Sequence, residues 1–81
     1  MGSIRSVDKS ANEWVSDFAL QLGIDAPSDE ETTSILALAG LAAHSSERAA
    51  APLSCWLAAK AGLSANEGLA LAQRLADDDL E

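Results

Sequence analysis

Apolar residues recur along this chain at helical spacing, and three Ser-x-x-Glu patterns mark where helices begin. Ser10 with Glu13, Ser28 with Glu31, and Ser64 with Glu67 each have the form of a capping box, in which serine and glutamate side chains satisfy amides at a helix start. After the first, Ala11, Trp14, Val15, Phe18 and Leu22 repeat every three or four residues, predicting a helix from Ala11 to Leu22. Gly23 followed by Ile24 reads as a left-handed stop with its hydrophobic contact. Asp25-Ala26-Pro27 then turns the chain, because proline disfavours helical geometry in the residue before it.

The second helix starts after Ser28 with Asp29, Glu30 and Glu31 at the positive end of its dipole. Ile35, Leu36, Leu38, Ala39, Leu41, Ala42 and Ala43 follow, so the segment is apolar almost all round and reads as the central helix, ending near Ser45. Gly40 among alanines is expected to let a neighbouring helix approach closely. Residues 47–51 form a connection, and Pro52 sits in the first turn of the third helix, where its missing amide proton is not needed. Leu53, Trp56, Leu57 and Ala61 are expected to form that helix's buried face. Gly62-Leu63 repeats the earlier stop, and Ser64 caps a fourth helix with Leu71, Ala72 and Leu75 inward. Asp77, Asp78 and Asp79 stand at the negative end of that dipole, so the helix is expected to fray at Asp77.

These elements predict an all-α protein, a compact four-helix bundle of short helices with tight connections. Residues 1–9 read as a mobile tail, 10–76 as the helical domain and 77–81 as a frayed acidic tail. With 81 residues there is room for one core and little to spare. Trp14 and Trp56, with one Phe and no Tyr, are read as the main core fillers. The alternative is that an exposed Trp anchors a partner.

Charge narrows the function classes. A net charge of −8 from five basic and thirteen acidic residues leaves no basic face for nucleic acid and disfavours anionic membranes. One cysteine excludes an intramolecular disulfide, and with no signal or long apolar segment evident the cytoplasm is the expected compartment. One His and one Cys make no zinc site, the Asp run lacks the spaced oxygens of a calcium loop, and no phosphate-binding glycine loop occurs. No cofactor is predicted.

Chemistry-bearing residues gather between the second and third helices. His44 and Arg48 lie four apart with Glu47 between them, beside the start of the helix that holds Pro52. An anion can be held there by the guanidinium, a protonated imidazole and the helix-start amides. The structural alternative has His44 and Arg48 capping the carbonyls that end the second helix, with Glu47 paired to Arg48. Cys55 in the first turn of the third helix can be drawn as a nucleophile with His44 as base, but beside Trp56 and Leu57 it reads better as a small buried hydrophobe.

The stretch Ala43-His44-Ser45-Ser46-Glu47-Arg48-Ala49-Ala50-Ala51-Pro52-Leu53, preceded by Glu13-Trp14-Val15 and an acidic capped helix, resembles a family of small uncharacterised actinobacterial domains. The resemblance covers most of residues 12–76. Members of that family stand alone or are joined to the C-terminal side of a molybdenum cofactor guanylyltransferase. Their pattern looks like A-H-x-x-E-R-P-A-A-P-L, which maps onto His44, Glu47, Arg48, Pro52 and Leu53, with Ala49 where the family usually has proline. The resemblance implies a non-catalytic accessory or binding domain in molybdopterin guanine dinucleotide synthesis. Its implied partners are the guanylyltransferase and a phosphate-bearing pterin or nucleotide, and its implied ligand-binding residues are His44, Glu47, Arg48 and Pro52. The competing readings are a protein-interaction module outside that pathway and a small enzyme using Cys55 or His44. The expected oligomeric state is monomer or weak dimer.

Overall fold

The computed structural model describes residues 9–79. They form four α-helices and no strand among the described residues: α1 Ala11–Leu22, α2 Asp29–Ser45, α3 Ala50–Lys60 and α4 Ala65–Asp79. The chain is the all-α four-helix architecture that its periodicity predicts. The predicted tail over residues 1–9 lies outside the described residues except for Lys9, as do residues 80–81.

All three predicted capping boxes form. Ser10, Ser28 and Ser64 each accept from the backbone N–H three residues on at 3.1 Å, and each of their own N–H groups donates to the Glu side chain there at 2.8 Å. Because each box satisfies donors that a helix start otherwise leaves to water, the starts of α1, α2 and α4 are set locally. Ser28→Ala, which removes the cap of the central helix, is expected to lower stability by about 1 kcal/mol, measurable as a shift in the urea midpoint.

The glycine stops also form. Gly23 and Gly62 have φ of 74° and 82°, a region costly for residues with a Cβ. The N–H groups of Ile24 and Leu63 reach back to the carbonyls of Ala19 and Ala58, both at 3.1 Å, closing the α1 and α3 ends. The α4 helix runs through Asp79, beyond the fraying expected at Asp77. A dipole penalty of a few tenths of a kcal/mol for an exposed carboxylate does not outweigh continued backbone bonding.

Helix α2 is central, packing against both α3 and α4, which also touch each other. On the α3 and α4 sides of these contacts small residues predominate, with Leu69 the exception. The less exposed face of α3 is Ala51, Ser54, Cys55 and Ala58, and that of α4 is Ala65, Gly68, Leu69, Ala72 and Ala76. Both sets follow the i, i+3, i+4, i+7 spacing of one helix face. The expected inward residues Leu53, Trp56 and Leu57 of α3, and Leu71 and Leu75 of α4, are exposed instead. The expectation that Trp14 and Trp56 fill the core is corrected likewise, since they are 63% and 60% exposed. Among the described residues only Ala19 and Leu38 are buried hydrophobic residues. Small facing side chains let helix axes approach closely, and once α2, α3 and α4 meet in that way the bulky residues have no inner space to occupy.

The close approach expected at Gly40 is found elsewhere. Nothing lies within 4 Å of where a Cβ on Gly40 would stand, whereas one on Gly68 would be 3.1 Å from Ala58 Cβ and 3.5 Å from Leu38 Cδ2. Gly68 is thus the point where α4 comes down on α3 and on the buried Leu38.

Helix α1 makes none of these packing contacts. It stands beside the first half of α2 across a groove of ≈550 Å³ lined by Val15, Ile35 and Leu36 among others. Its other side carries an ion pair between Lys9 and Asp17 beside Trp14 and Phe18. Hydrogen bonding and the charge of Asp17 raise the Lys9 pKa above its ordinary value. A raised lysine pKa favours folding below the ordinary lysine range, and that contribution is lost as pH rises through the folded value.

Candidate functional site

The four predicted site residues occupy one exposed corner. His44 is in the last turn of α2, Glu47 and Arg48 are in the connection, and Pro52 is in the first turn of α3; all four are exposed. The chain leaves α2 at Ser46, whose N–H still donates to Ala42 O at 3.0 Å. It then turns so that Ala50 N–H donates to Glu47 O at 2.9 Å and Ala51 N–H to Arg48 O at 3.1 Å.

Those two bonds change the chemistry of the corner. An anion held at a helix start needs unengaged backbone donors, but the first two α3 amides are bonded to the turn and the third position is Pro52, which has none. The predicted contribution of helix-start amides is therefore absent, and any anion contact rests on the His44 and Arg48 side chains. The structural alternative is not realised either. Among the described residues Glu47 and Arg48 form no ion pair, and neither His44 nor Arg48 donates a side-chain hydrogen bond to the end of α2.

A concavity of ≈180 Å³ lies beside the corner, lined by Ser45, Ser46, Ala50 and Ser54 with Ala72 and Leu75 of α4. That is below the 300 Å³ or so at which pockets enclose a drug-sized ligand. A pterin or nucleotide would lie on this surface and not within it.

The corner continues into a stripe that sequence reasoning assigned to the interior. Pro52, Leu53, Trp56 and Lys60 follow one another at helical spacing on the outer side of α3, all exposed. Lys60 Nζ lies 5.3 Å from the centroid of the Trp56 ring, within cation–π range. From Arg48 to Asn66 the chain carries two basic residues and no acidic one, against a net charge of −8 for the whole. The stripe is thus an apolar surface with basic ends on an acidic protein. The signal was present in the sequence as the absence of acidic residues from this segment, but the hydrophobicity of Trp56 pointed inward and masked it.

Cys55 is on the opposite side of α3, partly buried, with Sγ 4.0 Å from Ile35 O in the first half of α2. His44 is nine residues further along α2, roughly 13 Å at 1.5 Å per residue. The structure does not bring thiol and imidazole together. Among the described residues no cluster of three metal-ligating side chains occurs, and no helix is long and apolar enough to cross a membrane.

Comparison with known proteins gives one match. A family described as a domain of unknown function, DUF6457, covers residues 6–80. No curated protein and no solved structure matches.

Proposed function

We propose that this chain, which belongs to the DUF6457 family of domains of unknown function, is a non-catalytic binding domain whose outer α3 stripe and α2–α3 corner dock a protein. The observation that carries this reading is the exposure of Trp56 beside Leu53, 60% and 63%. Exposed tryptophan flanked by basic groups is the composition of interface hot spots. His44, Glu47, Arg48 and Pro52 form the polar end of the surface and orient the partner, with Arg48 offering a planar fork to a carboxylate or phosphate. The resemblance of the His44–Leu53 stretch to domains joined to molybdenum cofactor guanylyltransferase makes that enzyme the partner to test. The domain's role is then as an accessory in molybdopterin guanine dinucleotide synthesis. Scarcity of polar groups around Cys55 and its distance from His44 argue against the enzyme reading. A phosphate-bearing pterin or nucleotide is a secondary ligand at Arg48, since the corner offers it neither an enclosing pocket nor free amides.

Titrating the isotope-labelled domain with the guanylyltransferase is expected to shift amides from His44 to Lys60 saturably, whereas guanine nucleotide or molybdopterin alone shifts few or none. Trp56→Ala is expected to weaken protein binding by roughly thirtyfold, the scale of a hot spot, and Arg48→Ala by less. An absence of saturable shifts with the enzyme would remove the pathway assignment. Binding that ignores both substitutions would remove the surface.

A further inference from the structure

The outer row of α3 has a charge order that limits what can lie on it. Ala49, Leu53, Trp56 and Lys60 stand at i, i+4, i+7 and i+11, a single row along one helix face, and all four are exposed. Ala49 already has helical backbone angles, and Arg48 precedes it. The row therefore runs basic, apolar, apolar, basic. Lys60 is held to it, with Nζ 5.3 Å from the centroid of the Trp56 ring, so the ammonium stands over the indole. All thirteen acidic residues of the chain fall before Arg48 or after Asn66. Glu47 adjoins Arg48, but the two form no ion pair among the described residues. A carboxylate brought to this row meets positive charge, whereas α1, the start of α2 and the end of α4 carry acidic side chains.

We infer, resting on α3 as the docking surface, that the element seated on this row is an amphipathic α-helix of the partner with a carboxylate at each end of its contacting face. Among the described residues there is no strand, and α3 bonds its backbone groups along its own axis. An extended partner segment would bring N–H and C=O groups to a surface that cannot pair with them. A helix satisfies its own. Ala49 and Lys60 are eleven steps apart, roughly 16 Å at 1.5 Å per residue, so the facing carboxylates are eleven positions apart on the partner. Apolar residues four and seven positions after the first then lie against Leu53 and Trp56. Charge also excludes other occupants of the row. A helix with lysines at its two outer contacts is repelled by Arg48 and Lys60, while an acidic helix is repelled by the carboxylates elsewhere on a chain of net charge −8. Leu53 and Trp56 supply affinity, and the two basic ends supply selectivity.

The test titrates the isotope-labelled full chain with three end-blocked, alanine-based helical peptides. Each has leucines four and seven positions after its first contact residue, and its two outer contact residues, eleven apart, are both glutamate, both glutamine or both lysine. The glutamate peptide is expected to shift amides from Arg48 to Lys60 saturably and to bind roughly tenfold more tightly than the lysine peptide, with the glutamine peptide between them. Arg48→Glu together with Lys60→Glu should reverse that order. Both side chains are exposed, so helical circular dichroism should be retained, and the discrimination shown by the unaltered chain decides the matter should the variant fail to fold. Equal binding of the three peptides overturns the inference, as do preference for lysine, shifts centred on α1, or no saturable shift. Shifts at Leu53 and Trp56 on concentrating the chain alone would assign the row to a second copy and overturn it equally. Failure of the docking reading is told apart by the guanylyltransferase titration. Shifts along the row with the enzyme but with no peptide keep the docking surface and remove the acidic helix, whereas selective glutamate-peptide binding without enzyme binding keeps the helix and removes the pathway.

Discussion

Leu38→Ala is expected to lower stability by about 3 kcal/mol, within the span measured for truncation of buried leucines. Leu38 is 4% exposed and is the only large apolar side chain among the described residues that reaches that level of burial. It lies in α2, the helix that both α3 and α4 pack against, and its Cδ2 is close to the backbone of α4 at Gly68. Truncation leaves a cavity beneath α4 at Gly68, a position with no side chain of its own to fill it. A domain of this length has a total stability on the order of 4–12 kcal/mol, and a loss of that size removes a large share. Urea unfolding followed by circular dichroism checks it, with Leu36→Ala on the exposed side of the same helix as the control. Leu36 is 65% exposed, and its truncation should cost well under 1 kcal/mol in the monomer. Equal losses at the two positions would mean that α2 is buried on its other side.

Gly68→Leu is expected to be comparably damaging, by about 2–3 kcal/mol, for the opposite reason. A Cβ at this position would be 3.1 Å from Ala58 Cβ and 3.5 Å from Leu38 Cδ2, so a leucine has to push α4 away from both neighbours. Because Ala58 Cβ is fixed to the α3 backbone, it can yield only if the helix moves. Gly68→Ala tests the contact more finely. Replacing a helical glycine by alanine ordinarily stabilises a helix by up to about 1 kcal/mol, but here, in the first turn of α4, the new methyl meets Ala58, and the gain should largely vanish. Introducing Ala58→Gly in the same chain relieves the contact, so the two changes together should be less destabilising than the sum of each alone. Strict additivity would show that α3 and α4 do not meet at this point.

Both predictions rest on residues that hydrophobicity does not select. Apolar periodicity names Trp14, Trp56, Leu53, Leu57, Leu71 and Leu75 as core, and each of these is at least half exposed. The less exposed faces carry instead Ala51, Ser54, Cys55 and Ala58 from α3 and Ala65, Gly68, Leu69, Ala72 and Ala76 from α4, small residues with Leu69 as the exception. Both kinds of residue recur at helical spacing, so periodicity alone does not decide which stripe turns inward. Close approach of backbones at small residues competes with burial of large ones, and in α3 and α4 close approach wins. Trp56, read as interior from its size, becomes the centre of the candidate docking stripe. Gly40, read as a contact point from its place in an apolar run, faces open space.

What the amino-acid order determined by itself is everything governed by bonds reaching three to five residues along the chain. Ser10, Ser28 and Ser64 with their glutamates start helices, Gly23 and Gly62 stop them, and Pro27 turns the chain. The all-α class and most of the element boundaries follow from these. The shared corner of His44, Glu47, Arg48 and Pro52 is likewise a consequence of their nearness in sequence. Tertiary structure alone decided which side of each helix faces α2, that Gly68 and Ala58 are the point of closest approach, that α1 stands clear with its apolar stripe uncovered, and that Cys55 and His44 are apart. Those facts depend on how helices rotate about their own axes. That rotation is set by the combined shape of several surfaces at once, and no local bond records it.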